Sequence, residues 1–220
     1  HTDNEEVSQM FSKYDLLALP VVDDEERLVG IVTVDDALDV MEEEATEDIE
    51  KMAAIVHVDK PYLETSVWET YKSRIPWLLL LMISATFTGM IITGFEDALS
   101  VSIILSACIP MLMDTGGNSG NQVSTLIIRG LALGEIQIKD YFKVLWKEIR
   151  VAVMCAVILA SVNFVRMVVI RLITGSSTST PVIIIVCLSM MCAIIFAKAL
   201  GCSLPILAKL LHLDPALMAG

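Results

Sequence analysis

The chain has 220 residues, a formal net charge of −12 at pH 7 and a hydrophobic content of 55%. Soluble domains contain roughly 45–50% apolar residues, and here residues 1–60 carry 18 acidic and 4 basic side chains against 9 and 11 in residues 61–220. The composition excludes a uniformly soluble protein and predicts an acidic soluble segment joined to a nearly neutral membrane segment. The five cysteines show neither zinc-site spacing nor a disulfide framework.

The first 56 residues have the pattern of a small α/β unit. Residues 5–14 carry apolar side chains at helical spacing, and residues 16–22 and 28–34 are apolar runs typical of strands. Thr33 then has the side chain of a helix N-cap, and the acidic residues after it favour a helix start because the helix dipole attracts negative charge there. We expect this acidic helix to run from residue 36 to about residue 56.

Residues 57–74 are predicted to be a connecting, juxtamembrane segment that leads into the membrane. Residues 75–220 then form the transmembrane domain, because they contain four apolar stretches that reach the ~20 residues needed to cross a bilayer. The stretches are residues 75–95, 99–133, 142–173 and 181–211. The second is long for one crossing, so it is either strongly tilted or broken at Pro110 and the glycines that follow. The fold class is a mainly α-helical membrane bundle with a small cytoplasmic α/β unit.

Charges between the apolar stretches predict the orientation. The first connection has Glu96 and Asp97 but no basic residue, whereas the second carries Lys139, Lys143 and Lys147. Basic connections stay on the cytoplasmic side. The acidic N-terminal region and the second connection are therefore predicted to be cytoplasmic, in a multi-pass protein of the plasma membrane.

A polar run interrupts the second apolar stretch. It reads Pro110-Met-Leu-Met-Asp-Thr-Gly-Gly-Asn-Ser-Gly-Asn-Gln122. Lipid does not tolerate a carboxylate and several amides, so these groups must face other protein or a water-filled path. The run predicts a permeation site, although Gly116 and Gly120 also have the spacing of glycines that pack helices together.

Acidic residues are concentrated in the helix before the membrane segment. Asp36, Asp39 and Glu43 lie near one helical face, and Glu44, Glu47 and Asp48 follow one to two turns later. Like charges at this spacing repel each other. The cluster is either a solvated acidic surface or a surface that cations neutralise.

The polar run and its continuation Ser124-Thr-Leu-Ile-Ile-Arg129 resemble the signature of the MgtE family of magnesium transporters. Lys13-Tyr-Asp-Leu-Leu-Ala-Leu-Pro-Val-Val-Asp23 and Arg27-Leu-Val-Gly-Ile-Val-Thr-Val-Asp-Asp36 resemble the second half of a CBS domain, and Glu43-Glu-Ala-Thr-Glu-Asp-Ile49 follows at the family's spacing. By this resemblance the chain begins inside the second CBS repeat, which makes residues 1–56 a partial CBS domain. It stops before a fifth membrane helix, which supplies a pore aspartate in the family.

The resemblance implies Mg²⁺ transport through the channel-like pore of a homodimer, closed when cytoplasmic Mg²⁺ binds acidic residues. The pore-lining candidates are Asp114, Gly116, Gly117, Asn118, Gly120 and Asn121. The candidates for regulatory Mg²⁺ are Asp3, Glu5, Asp15, Asp36, Asp39, Glu44, Glu47, Asp48 and Asp214. ATP binding at the CBS unit is left open, and no nucleic-acid partner is expected.

Three alternatives were weighed. The cargo could be another hard divalent cation, namely Mn²⁺, Ca²⁺ or Co²⁺; the polar run has no Cys or His, which disfavours softer metals. A CBS-regulated channel for another ion is a second alternative, but an acidic vestibule opposes anions. A membrane enzyme is disfavoured because no His lies within an apolar stretch and Ser119 lacks a base. We therefore expect no enzymatic activity.

Overall fold

The structure is a computed structural model that describes residues 4–58, 60–100, 103–175 and 178–218, without the side chains at positions 5 and 6. It contains seven α-helices and two strands within those residues. The soluble elements are α1 (Asn4–Tyr14), β1 (Ala18–Val22), β2 (Leu28–Thr33) and α2 (Val34–Met52). The later elements are α3 (Val67–Gly94), α4 (Glu96–Ser100), α5 (Ile103–Ala132), α6 (Tyr141–Thr174) and α7 (Thr180–Leu210). Short 3₁₀ turns lie at Ile138–Asp140 and Pro215–Met218.

The expected mainly α architecture with a small α/β unit is confirmed. Strands β1 and β2 form an antiparallel pair in which Ala18 lies opposite Thr33. The turn between them is held by Asp23, whose carboxylate accepts hydrogen bonds from the backbone N–H of Arg27 at 2.9 Å and from its Nε at 3.0 Å. Helix α1 packs against α2, and Phe11 and Ala37 are the buried apolar side chains there.

Helix α3 begins at Val67, earlier than the position 75 that apolar content alone predicts. Ser66 and Glu69 form a reciprocal cap: Ser66 Oγ accepts from the Glu69 N–H at 3.2 Å, and a Glu69 carboxylate oxygen accepts from the Ser66 N–H at 3.0 Å. Such a capping box satisfies backbone donors at the first turn. It extends the helix into the polar segment that hydropathy assigns to a connection.

Three helical segments in the described residues are long and apolar enough to cross a bilayer, namely Val67–Gly94, Ile138–Thr174 and Thr180–Leu210. Helix α5 has 30 residues and runs unbroken through Pro110 and the glycines, so the expected alternative of a break is excluded. Helix α5, which contains the polar run, is not among these three segments of the described residues. A crossing by α5, and with it the four-span arrangement, stays a prediction.

Helix α7 is the centre of the bundle because it packs against both α5 and α6. Ile183, Val186 and Cys187 of α7 form one apolar cluster with Cys108 of α5 and residues of α6. Further along, Met190 and Ile194 pack with Ala156 of α6. Near the opposite end, α7 and α5 form a third cluster from Cys202, Ile206, Val123, Ile127 and Leu131.

Small residues bring the backbones of α5 and α7 into contact. A Cβ atom at Gly120 would lie 3.1 Å from the carbonyl oxygen of Ala197, and one at Gly201 would collide with the carbonyl oxygen of Gly120. The hydroxyl of Ser124 donates a hydrogen bond of 3.1 Å to the carbonyl oxygen of Gly201. Contacts of this kind hold membrane helices together where no hydrophobic effect operates between them.

This contact predicts that Gly201→Ala destabilises the protein. The added methyl group forces α7 away from α5, and overpacking of this kind costs about 1–3 kcal/mol. Gly117→Ala is the matched control because no atom lies within 4 Å of a Cβ at that position, and alanine is the better helix former by about 1 kcal/mol. In thermal melts of the purified protein in detergent, we expect G201A to melt below wild type and G117A to melt at or above it. Equal melting temperatures for the two variants would contradict the packing role.

Candidate functional site

Helix α5 has one face that packs and one that does not. Gly116 and Gly120 lie on the packed face, where a Cβ at Gly116 would be 3.7 Å from the Cβ of Ala193 on α7. The structure therefore gives both glycines a helix-packing role. Their lining of a pore stays a prediction.

The other face of α5 is polar and exposed. It carries Asp114, Gly117, Asn118, Asn121 and Thr125, all exposed to solvent and spaced so that they share one side of the helix. Thr125 Oγ1 donates a weak hydrogen bond of 3.5 Å to Asn121 Oδ1. In the part of the chain that the structure describes, the side chains of Asp114 and Asn118 make no hydrogen bond. Within a bilayer such a face needs water or another protein surface.

Side chains from two other elements hold the end of α5. The Gln9 amide of α1 donates a hydrogen bond of 2.6 Å to the carbonyl oxygen of Ala132, and the Lys209 ammonium of α7 donates one of 3.1 Å to that of Leu131. The last carbonyls of a helix lack partners within the helix and carry partial negative charge. The polar helix is thus attached directly to the α/β unit.

A cavity of about 750 Å³ separates the acidic helix α2 from the ends of α5 and α7. Both signs of charge line it: acidic Glu44, Asp48 and Asp214 face the same space as basic Arg129 and Lys209. Three of the predicted regulatory residues are therefore brought to one cavity. They come from α2 and from the segment after α7, far apart in the sequence.

Lys51 joins Asp214 to a further predicted acid, Glu47, and the sequence reasoning missed it. Its ammonium lies 2.8 Å from Glu47 Oε1 and 2.5 Å from Asp214 Oδ2. Partial burial lowers the pKa of Lys51, but the hydrogen bonds to Asp214 and Glu47 outweigh burial and raise that pKa overall. The side chain therefore stays charged at neutral pH. Glu47 and Lys51 lie one helical turn apart, and this spacing could have predicted their ion pair from the sequence. The pair of Lys51 with Asp214 has no such signal.

The remaining candidates lie apart from the cavity. Asp36 caps α2: its Oδ2 accepts hydrogen bonds from the Thr33 hydroxyl at 2.5 Å and from the Thr33 N–H at 3.0 Å. These bonds lower the pKa of Asp36. Asp39 is exposed on α2, and Asp15 is exposed in a left-handed turn (φ 51°) after α1. Asp3 and the side chain of Glu5 lie outside the described residues.

The described acids are spread over several places in the fold. Among the described residues, no three Asp, Glu, His or Cys side chains converge where they could hold one ion. The carboxylates of Glu47 and Asp214 have the right chemistry for a hard cation, but an ammonium already lies between them. The regulatory role of the acidic residues stays a prediction.

Family models and individual relatives both match this chain. The model of a family described as MgtE, divalent cation transporter, matches residues 109–220, and that of the CBS domain matches residues 1–43. The chain is 39% identical over 219 residues to the magnesium transporter MgtE of Thermus thermophilus and 34% identical over 222 residues to that of Bacillus subtilis. These alignments cover 100% and 99% of the chain but 47% of each relative. The chain therefore spans about half the length of the curated relatives it matches.

The capping geometry predicts that Asp36→Asn and Asp39→Asn differ although both remove one acid. D36N weakens the start of α2, so in the absence of divalent cations we expect it to melt below wild type and D39N to melt close to it. The pKa of Asp36 is lowered from 3.8, so its stabilisation is present above that pH and is lost as the pH falls through the lower, folded-state value. Melting curves recorded from pH 7 downward should show the difference between wild type and D36N vanish at acidic pH. A difference independent of pH would exclude the capping role.

Proposed function

The chain belongs to the MgtE family of divalent cation transporters, and we propose that it carries Mg²⁺ across the plasma membrane. It is a membrane protein, and its curated relatives are named transporters, which is not an enzymatic activity. In this proposal the acidic α/β unit lies in the cytoplasm and two copies of the chain form the pore. The role is transport rather than catalysis.

The polar face of α5 is the observation that carries the proposal. Mg²⁺ binds oxygen atoms and gives up its water reluctantly, so a path for it needs oxygen acceptors that can meet a hydrated ion. Asn118 and Asn121 offer amide oxygens on the exposed face, and Asp114 adds negative charge. Because α7 packs against the opposite face, the polar face is left for water and for a second subunit.

Another hard divalent cation is the second candidate cargo. Mn²⁺, Ca²⁺ and Co²⁺ also accept oxygen ligands, and the exposed amides of α5 do not distinguish among them. Competition between these ions and Mg²⁺ for uptake into liposomes decides between the candidates. The Mg²⁺ proposal expects uptake of Mg²⁺ itself, with the other ions acting at most as competitors.

We propose further that cytoplasmic Mg²⁺ closes the pore by binding the acids of α2. At low Mg²⁺ the acids of α2, among them Asp39, Glu44 and Glu47, are neutralised only in part by groups of the chain such as Lys51, and the remaining repulsion loosens α2 from the membrane helices. Mg²⁺ favours the state in which α2 is docked on the membrane helices over the state in which it is loosened, to the extent that it binds the docked state more tightly. Helix α1 packs against α2, and the bond of Gln9 on α1 to the end of α5 gives this movement a route to the polar helix. ATP binding at the CBS unit is a separate proposal.

The pore role predicts reduced transport when the exposed amides of α5 are removed. In Mg²⁺ flux assays with the full-length protein in liposomes, we expect Asn118→Ala and Asn121→Ala each to reduce flux by about tenfold, the effect of losing one or two ~1 kcal/mol polar contacts. Thr86→Ala is the control, because Thr86 lies on α3 and its hydroxyl bonds only the carbonyl oxygen of Met82 in the same helix. Wild-type flux in both Asn variants would reject the pore role of this face.

The sensing role predicts protection from proteolysis by Mg²⁺. Cleavage of the full-length protein between α2 and α3 should slow as Mg²⁺ rises, and the triple variant Asp39→Asn, Glu44→Gln, Glu47→Gln should lose most of this dependence. Asp23→Asn is the control, since Asp23 lies in the β-hairpin turn and pairs with Arg27. Equal protection of wild type and the triple variant would show that these acids do not sense Mg²⁺.

A further inference from the structure

The Lys51 ammonium occupies the place between two carboxylates from different parts of the fold. It bonds Glu47 on its own helix at 2.8 Å and Asp214, in the segment after α7, at 2.5 Å. The second oxygen of Asp214 accepts a hydrogen bond of 2.8 Å from the backbone N–H of Ala216. Both oxygens of Asp214 therefore have partners within the chain.

This bridge lies where α2 meets the membrane helices. Directly beside it, Ala216 is fully buried and packs with Ile128 of α5 and with Met52, the residue after Lys51. The three side chains of the bridge are only 23–34% exposed. A cation at this point thus holds α2 against the ends of α5 and α7, because without one Glu47 and Asp214 would repel each other across the contact.

We propose that Lys51 is a built-in counter-ion that competes with Mg²⁺ for Glu47 and Asp214, and so sets the Mg²⁺ concentration at which the acidic surface responds. The inference rests on the proposed sensing function. Carboxylates suit Mg²⁺, but an ammonium and a divalent cation repel each other strongly when they share the same oxygens. Any ion that binds there has to displace Lys51, and the cost of displacement lowers the apparent affinity for Mg²⁺.

The competitor role differs from a purely structural role in the direction of its effects. Removing the ammonium leaves the carboxylates unneutralised, so α2 loosens at low Mg²⁺. The same change removes the competitor, so less Mg²⁺ is needed to restore the contact. A residue that only stabilised the fold would weaken the contact at every Mg²⁺ concentration.

The test is a Mg²⁺ titration of protease protection with the full-length protein, comparing wild type with Lys51→Met and Lys51→Arg. Lys60→Met is the matched control: it removes the same charge and also breaks a carboxylate pair, with Glu69 at 2.7 Å, but Lys60 is 52% exposed and pairs with neither Glu47 nor Asp214. If K51M lowers the melting temperature in EDTA below the assay temperature, Lys51→Gln replaces it, since glutamine keeps a polar end.

The expected result is that K51M is cleaved faster than wild type in EDTA but reaches half-protection at a Mg²⁺ concentration lower by about fivefold or more, the size of a typical coupling between sites. K51R, which keeps the charge, and K60M should stay near the wild-type midpoint. The competitor role is overturned if K51M reaches half-protection at the wild-type Mg²⁺ concentration or at a higher one. It is also overturned if K51R shifts the half-protection concentration as much as K51M does. In both cases Mg²⁺ protection of the wild type still supports the sensing function. A wild type without Mg²⁺ protection rejects the sensing function and this inference with it.

Discussion

The contact between α5 and α7 at Gly120 and Gly201 determines how the rest of the membrane segment can work. Two helix backbones approach this closely only where neither carries a side chain. Once that face of α5 is used for packing, its amides and its carboxylate have one direction left, away from the bundle. The glycines and the asparagines of the polar run therefore lie on different faces: Gly116 and Gly120 pack against α7, and Asn118 and Asn121 are exposed on the opposite face.

A second group of interactions attaches the charged part of the protein to that helix. Gln9 and Lys209 bond the last carbonyls of α5, and the Lys51 bridge joins α2 to the segment after α7. In a region with so many acids, these few amide and ammonium groups supply the attraction that keeps the two parts in contact. The position of α2 relative to the membrane helices therefore depends on a balance of charges in this region.

Sequence reasoning predicted the features that depend on local pattern. Alternation and composition were enough for the two strands, the acidic helix and the apolar helices, because each depends on residues close together in the chain. It could not predict the pair of Lys51 and Asp214, which are 163 positions apart, since that pair depends on how α2 docks onto the bundle. It also left the roles of Gly116 and Gly120 open, because a glycine that packs and a glycine that lines a path look alike until the neighbouring helix is seen. Asp36 was grouped with the sensing acids; the fold adds a local role, because its carboxylate caps α2, and its sensing role stays a prediction.

The exposure of α3 has a consequence for the lipid around the protein. None of its most apolar stretch is buried within the described residues, and the apolar part of the helix from residue 75 to 94 spans about 30 Å, close to the thickness of the hydrocarbon layer. Among the described residues no other helix covers this stretch, so α3 can respond to a bilayer of a different thickness by tilting. Val56 follows Lys51 by only a few residues. Its backbone N–H donates a hydrogen bond of 3.0 Å to the carbonyl oxygen of Ser73, near the start of α3. A membrane of a different thickness that changes the tilt of α3 would therefore move the segment that joins α3 to the acidic helix.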